Sequence, residues 1–519
     1  MDKEIKKLQK SSIRNMTPTL KMENKMKQTK LVTIFVFAVL FLGLALPTMA
    51  KDKYASPGVN LHYNGNWPSD KEAQQLRDEL YYNMAIQAYM TMLPALNTIG
   101  LRDGSEKEFG AGYNVIPLWK DRMDAKTWIP TPNCDIMYAM SFFDLKETGP
   151  LVVAAPANVM GMFTDFFQRT LVDVGKAGPD RARGGLYLLL PPKYRGPVPD
   201  GYFTYTSSTY NVMLFFRMVM PGGENGLDPA PAVEVGERTR VYPLWAEEKN
   251  INPMEFPNGS GKRINMQYPT DYAYWTKLKK FVDHEPFSAI TPELRGVLAA
   301  IGIIKDQPFE PTARQKKLLE KAVLMTPKMI LANRMANRPD ERNLYYKDRQ
   351  WFRIWAGATS EWMQESYLDT NARTAFFQIG YSSAPAMVMR YINNGSKYPV
   401  AMRDADGDIL NGSNNYKFHL PADIPAKLFW AVTVYNITDG TMPETSQPFP
   451  GKNGYDKLVK NEDGSFDLYF GPTKPEGAPE SNWIQSIDGR DWLVGLRLYG
   501  SAVEFFDQTW KPDDVVKLK

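Results

Sequence analysis

The chain has 519 residues, more than one domain of roughly 100–200 residues accommodates, so two or three domains are expected. With 43% hydrophobic, 13% aromatic and 23% charged residues it is globular, which excludes a disordered or collagen-like chain. The formal net charge of +4 resides in the first fifty residues, which hold nine of the 62 Lys and Arg but three of the 58 Asp and Glu; the remainder is slightly acidic and offers no global electrostatic case for nucleic acid or an anionic membrane surface.

In chain order, a basic stretch from Lys21 to Lys30 runs into the apolar segment LVTIFVFAVLFLGLAL and then PTMA. That is the layout of a secretory signal peptide, with Thr48 and Ala50 as the small residues before a cut after Ala50 and the stretch up to Met26 as an extended n-region or an upstream start. A periplasmic or secreted protein with no stable membrane span after cleavage is expected, a retained anchor being the alternative. No cysteine follows the apolar run, so no lipid anchor is expected. The only cysteine, Cys134, excludes an internal disulfide and a Cys-rich zinc site.

Residues 51–242 open with apolar residues at helical spacing (Leu76, Leu80, Met84, Ala85, Ala88 and Tyr89), with Ser69 or Asp70 as N-cap. From Thr131 to Met220 the pattern changes to short β-prone runs separated by Gly and Pro, which predicts an antiparallel β domain packed on that helix. Residues 243–369 return to helical periodicity in TDYAYWTKLKKFVDHEP, TPELRGVLAAIGII and TARQKKLLEKAVLMTPKMILANRMAN, each opening on a threonine cap, and read as a helical connector. Residues 370–519 become β again, with DADG and EDGS as hairpin turns. The fold class expected is mainly β: two antiparallel sandwich or jelly-roll-like domains bridged by α-helices.

Chemistry is sparse. The three histidines, His62, His284 and His419, fall in separate regions, and no G-x-S-x-G elbow supplies a nucleophile for them. Asp404, Asp406 and Asp408 have the spacing of calcium-loop ligands, yet the sixth and twelfth positions are Ile409 and Asn415, so a hairpin turn is favoured. Asp135 and Asp144 are an odd number of residues apart and point to opposite faces of a strand, which makes them poor acid and base partners. No cofactor and no metal site are expected. The aromatic supply suggests a ligand cleft edged by a few polar groups, Asn133, Arg217, Asn482 and Arg497 among them.

The ordered segments TPNCDIMYAMSFFDL, GPLVVAAP, GKAGPDRARGGLYLLLPP and STYNVMLFFRMVM resemble domain of unknown function 1254, found in mostly exported bacterial proteins. DADGDILNGSNNYKFHLP, FWAVTVYN, NEDGSFDLYF, SNWIQSIDG and WLVGLRLYG resemble its C-terminal companion, domain of unknown function 1214. The resemblance implies two β-sandwich-like domains bridged by helices, and a homo-oligomer. Against the family pattern Thr-Pro-Asn-Asn-Asp, Thr131, Pro132, Asn133, Asp135 and Tyr138 match and Cys134 replaces an asparagine, so the motif does without a thiol, and Asn133 and Asp135 are the better functional residues. In the companion the matching positions are Trp430, Tyr435, Asn482, Trp483, Arg497 and Tyr499.

The function expected is the binding of a small or envelope-derived ligand in an aromatic-lined cleft between the two β domains, by Tyr138, Arg217, Trp430, Tyr435, Asn482, Trp483 and Arg497. One alternative is a hydrolase-type enzyme that uses Asp135 as acid or base, Asn133 as orienting donor and an arginine as anion clamp. A structural envelope oligomer is the other.

Overall fold

Helix and strand boundaries follow local chemistry closely in the computed structural model, which describes residues 68–223, 226–334 and 343–519. The signal-peptide expectation, the cut after Ala50 and His62 lie outside the described residues. Helix α1 (Asp70–Phe109) begins at a capping box: Glu72 N–H donates to Ser69 Oγ at 3.4 Å and Ser69 N–H donates back to Glu72 Oε2 at 3.0 Å. It then runs 40 residues, through Pro94 and past the Gly-containing segment. Gly104 faces a crossing chain so closely that an added Cβ would meet Asn265 O at 2.2 Å, so the glycine permits the contact.

Numbering strands of three or more residues, the N-terminal part holds β1 (Ile136–Asp144), β2 (Leu151–Ala155), β3 (Met160–Asp165), β4 (Thr170–Val174), β5 (Gly185–Leu190), β6 (Phe203–Thr206), β7 (Asn211–Val219) and β8 (Arg240–Pro243). They form two four-stranded sheets of order β1-β7-β3-β4 and β8-β2-β5-β6, antiparallel except for the parallel pair β5 and β6. Alternation sorts their side chains. Met137, Ala139, Phe143, Leu214 and Phe216 point into the core between the two sheets, whereas Ile136, Tyr138, Met140 and Phe215 point the other way.

Helices α2 (Ala273–His284), α3 (Pro292–Ala300) and α4 (Ala313–Arg334) follow, then α5 (Thr370–Ile379). Thr291 caps α3 and Thr312 accepts from Gln315 N–H at the start of α4, as the sequence suggested. Thr270 does not cap α2; the Asp271 carboxylate accepts from Ala273 N–H at 3.0 Å instead. Helix α5 lies within residues expected to be β; Asp369 caps it and it packs on α1.

The C-terminal strands are β9 (Pro399–Ala401), β10 (Tyr416–Leu420), β11 (Ala426–Asn436), β12 (Gly451–Asn453), β13 (Phe466–Gly471), β14 (Trp483–Gln485), β15 (Trp492–Ser501) and β16 (Val515–Lys517). One sheet has β9-β15-β11-β12 with Phe352–Arg353 added at the β9 edge, and the other is β14-β13-β10-β16. DADG and EDGS turn as expected, with Gly407 and Gly464 both at φ 87°. The two sheets enclose Phe418, Leu468, Val432, Val434, Leu496 and Leu498. The protein is therefore mainly β, two sandwiches with helices between them.

All the described residues belong to one compact unit. The largest core is not inside either sandwich. It joins the outer faces of the β1-β7-β3-β4 and β9-β15-β11-β12 sheets to the apolar sides of α1, α2, α4 and α5, with Tyr89 of α1 stacked on Tyr274 of α2 at 4.3 Å. Among the described residues no helix is long and apolar enough to cross a membrane.

Candidate functional site

A slot opens where those two outer faces meet. Tyr138 and Arg217 sit directly opposite each other on β1 and β7 and form one wall with Phe215. Tyr435 on β11 and Leu493, Gly495 and Arg497 on β15 form the facing wall. Trp355, Phe376, Tyr381, Met387 and Tyr398, from the segments between the two sandwiches, close the sides. The cavity is narrow, about 70 Å³, smaller than the pockets that take drug-sized ligands.

Aromatic faces set the width. Tyr138 stacks on Phe215 with centroids 5.2 Å apart, and Trp355 stands against Tyr398 at 5.3 Å and Phe376 at 5.5 Å. Arg217 Nη1 donates to Tyr398 Oη at 3.2 Å, and its Nε is buried with no hydrogen-bond partner. Arg497 Nη1 donates to Thr433 Oγ1 at 3.0 Å and its Nη2 to Tyr435 Oη. Burial pushes the Tyr435 phenol up to about 12 and that of Tyr138 higher still, so both stay protonated at neutral pH.

The TPNCD motif works as a clasp between the sandwiches. Thr131, strained at φ 40°, donates its N–H to Gly440 O at 2.6 Å. Pro132 O accepts from Tyr435 Oη at 2.6 Å and from Arg497 Nη2 at 3.4 Å, and Asn133 Nδ2 donates to Tyr499 Oη. Asn133 Oδ1 in turn accepts from Asp135 N–H at 2.8 Å. Asp135 Oδ1 pairs with Arg122 at 2.9 Å and accepts from Asn453 Nδ2 at 3.0 Å. Each contact to the C-terminal sheet holds a wall of the slot or its backing.

Of the residues the sequence singled out, Tyr138, Arg217, Tyr435 and Arg497 meet in the slot. Trp430 does not line it: five residues from Tyr435 on the same strand, it points to the opposite face and packs on Phe466 inside the C-terminal sandwich. Asn482 and Trp483 do not line it either. Asn482 pins a loop through Val459 N–H, Val459 O and Asp467 O, and Trp483 Nε1 donates to Gly471 O at 3.2 Å. Asn133 and Asp135 stand behind the slot rather than in it. Cys134 is fully buried and its thiol is pushed up to about 12 by burial, chemistry opposite to that of a nucleophile.

Trp355, Phe376, Tyr381 and Tyr398 were missed because they lie in connecting segments with no strand pattern. Phe215 was legible, two residues from Arg217 on the same face. His284 and His419 pair with Asp144 and Asp467 and take no part in the slot. Among the described residues no group of three His, Cys, Asp or Glu side chains could hold a metal ion.

Two family models match the chain, both described as proteins of unknown function: DUF1254 over residues 113–243 and DUF1214 over residues 395–503. No curated protein matches. Among solved structures, the VPA0106 protein from Vibrio parahaemolyticus is similar at 16% identity and a TM-score of 0.51, covering 85% of this chain and 100% of its own. An uncharacterised protein from Burkholderia cenocepacia is similar at 13% identity with a TM-score of 0.35, covering 88% of this chain and 92% of its own. At such identity the Vibrio likeness concerns fold alone.

Proposed function

We propose that this protein, which carries a DUF1254 domain followed by a DUF1214 domain, binds a small or envelope-derived ligand in the aromatic slot between its two β-sandwiches. The observation that carries this reading is convergence. Tyr138, Arg217, Tyr435 and Arg497 come from strands up to 359 residues apart, yet all line one partly open slot that the packing of the cores leaves unfilled. Interiors are close-packed, so a gap edged by two arginines and several aromatic rings from both sandwiches is a feature that needs a use. Export to the periplasm, with removal of the leader after Ala50, belongs to the same reading and rests on the leader pattern. So does a homo-oligomer, which rests on the family resemblance.

Gly495 provides the test. It lines the slot, and an added Cβ would meet Tyr435 Cε2 at 3.6 Å, an ordinary contact. Gly495→Leu therefore fills the slot without forcing the strand aside. Native mass spectrometry of protein recovered from the cell envelope, before and after denaturation, is expected to release an extra mass from the wild type and none from the variant. The same extra mass released from both would remove the slot from consideration. The spectrum also reports the subunit number, and N-terminal sequencing of the same sample reports the cut.

A further inference from the structure

Resting on the slot as the binding site, we infer that its ligand is a small amphiphilic oxyanion, with the anionic head held between Arg217 and Arg497 and a flat or linear apolar body along the aromatic walls. The charge balance motivates this. Both guanidiniums line the slot, and among the described residues neither has a carboxylate within 4 Å. Guanidinium does not give up its proton in a protein, so it cannot escape a low-dielectric site by neutralising. The tyrosines cannot balance the charge, since burial raises Tyr138, Tyr381, Tyr435 and Tyr499 rather than ionising them. Asp173 acts on Arg217 only beyond ion-pair distance and accepts from Ala386 N–H at 3.1 Å.

Two guanidiniums lining one narrow slot, neither with a carboxylate at ion-pair distance, are costly to hold there unless something supplies negative charge between them. The donors are also there. Arg217 makes one described side-chain hydrogen bond and keeps a buried Nε–H without a partner. Arg497 is held in place from behind by Thr433, Tyr435 and Pro132, which are all neutral acceptors, so its position is fixed while its charge is left over. A carboxylate, phosphate or sulfate group offers the paired acceptor oxygens that guanidinium planes take. Ile354, Trp355, Met387, Val400 and Leu493 offer nothing polar from their side chains except one indole N–H and so suit a hydrocarbon or aromatic body.

The test uses benzoate, phenyl phosphate and phenyl sulfate as anionic probes, benzamide as the uncharged counterpart of benzoate, and inorganic phosphate as a head without a body, titrated calorimetrically and by thermal shift into the purified protein. At least one aromatic anion is expected to bind about ten-fold or more tightly than benzamide and than inorganic phosphate; which anion leads tells a carboxylate from a phosphate or sulfate ligand. Arg217→Met is expected to weaken that binding by about ten-fold or more while raising the thermal midpoint of the ligand-free protein, because it removes a half-buried guanidinium that has no carboxylate partner and an unpaired Nε, at similar side-chain volume. A merely structural arginine would lower the midpoint, and that result overturns the inference, as does binding of anions that survives Arg217→Met. If benzamide and benzoate bind alike and Gly495→Leu abolishes both, the slot stands and the oxyanion falls. If no anionic probe binds at millimolar concentration the oxyanion falls as well, and if probes bind Gly495→Leu as they bind the wild type, the slot itself falls.

Discussion

Asp135 ties the two sandwiches together through its carboxylate. Its carboxylate is 1% exposed, ion-paired with Arg122 and hydrogen-bonded to Asn453 on the other sandwich. Arg122 is itself mostly buried and lies over the Phe449 ring at 3.8 Å. Removing the acid takes away the only carboxylate at ion-pair distance from that guanidinium among the described residues, with Asp456 acting from farther off; breaking comparable buried pairs costs roughly 3–5 kcal/mol. Asp135→Ala is therefore expected to lower the urea midpoint strongly, by loosening the clasp. A variant that kept its stability but lost turnover of an ester or glycosidic substrate would restore the hydrolase reading instead. Cys134 sits in the same clasp, fully buried, and burial keeps its thiol protonated at neutral pH.

Among the elements, α1 carries the clearest contest of effects. Alanine in place of Gly104 gains about 1 kcal/mol of helix propensity. Against that, the new Cβ would lie 2.2 Å from Asn265 O and 2.8 Å from Met266 Cα, both backbone atoms, and overpacking of this kind costs about 1–3 kcal/mol. The contact wins, so Gly104→Ala is expected to be less stable than the wild type by chemical denaturation; a rise in midpoint would mean that the 265–268 segment does not lie against the helix. Strand parity is the other lesson at this scale. Applied to Asp135 and Asp144 it separates them, and applied to Trp430 and Tyr435 it would have placed the tryptophan in the sandwich core from sequence alone.

For the whole molecule, stability depends on a buried lysine beside the slot. Lys397 Nζ donates to Met387 O at 3.1 Å and to Met389 O at 2.7 Å, which holds the turn that places Met387 in the slot wall. Burial lowers its pKa from 10.5 to about 8. The folded value lies below the unfolded one, so between about pH 8 and 10.5 the unfolded chain binds more protons and this group's contribution to stability rises with pH. The penalty is fully present below about pH 8. Subtracting the stability curve of Lys397→Met from that of the wild type is expected to leave a difference that climbs across that window by up to about 3 kcal/mol; a flat difference would show that the amine is not desolvated. The raised tyrosines act in the opposite sense above pH 10, and the subtraction removes them.

The sequence by itself determined the parts whose causes are local: the capped start of α1, the Gly turns at DADG and EDGS, the strand runs of both sandwiches and the ordered motifs of the two domains. Periods of 2 and 3.6 and the preferences of Ser, Thr, Asp and Gly at ends and turns act over a few residues, so they are legible in order along the chain. The convergence of Arg217 with Arg497, the clasp from Pro132 and Asn133 to Tyr435 and Tyr499, and the share of Trp355, Tyr381 and Tyr398 in the slot were decided only by tertiary structure. These contacts join residues far apart in the chain, and which faces meet depends on how the two sandwiches and the helices between them jointly bury one core, a sum that no local pattern contains.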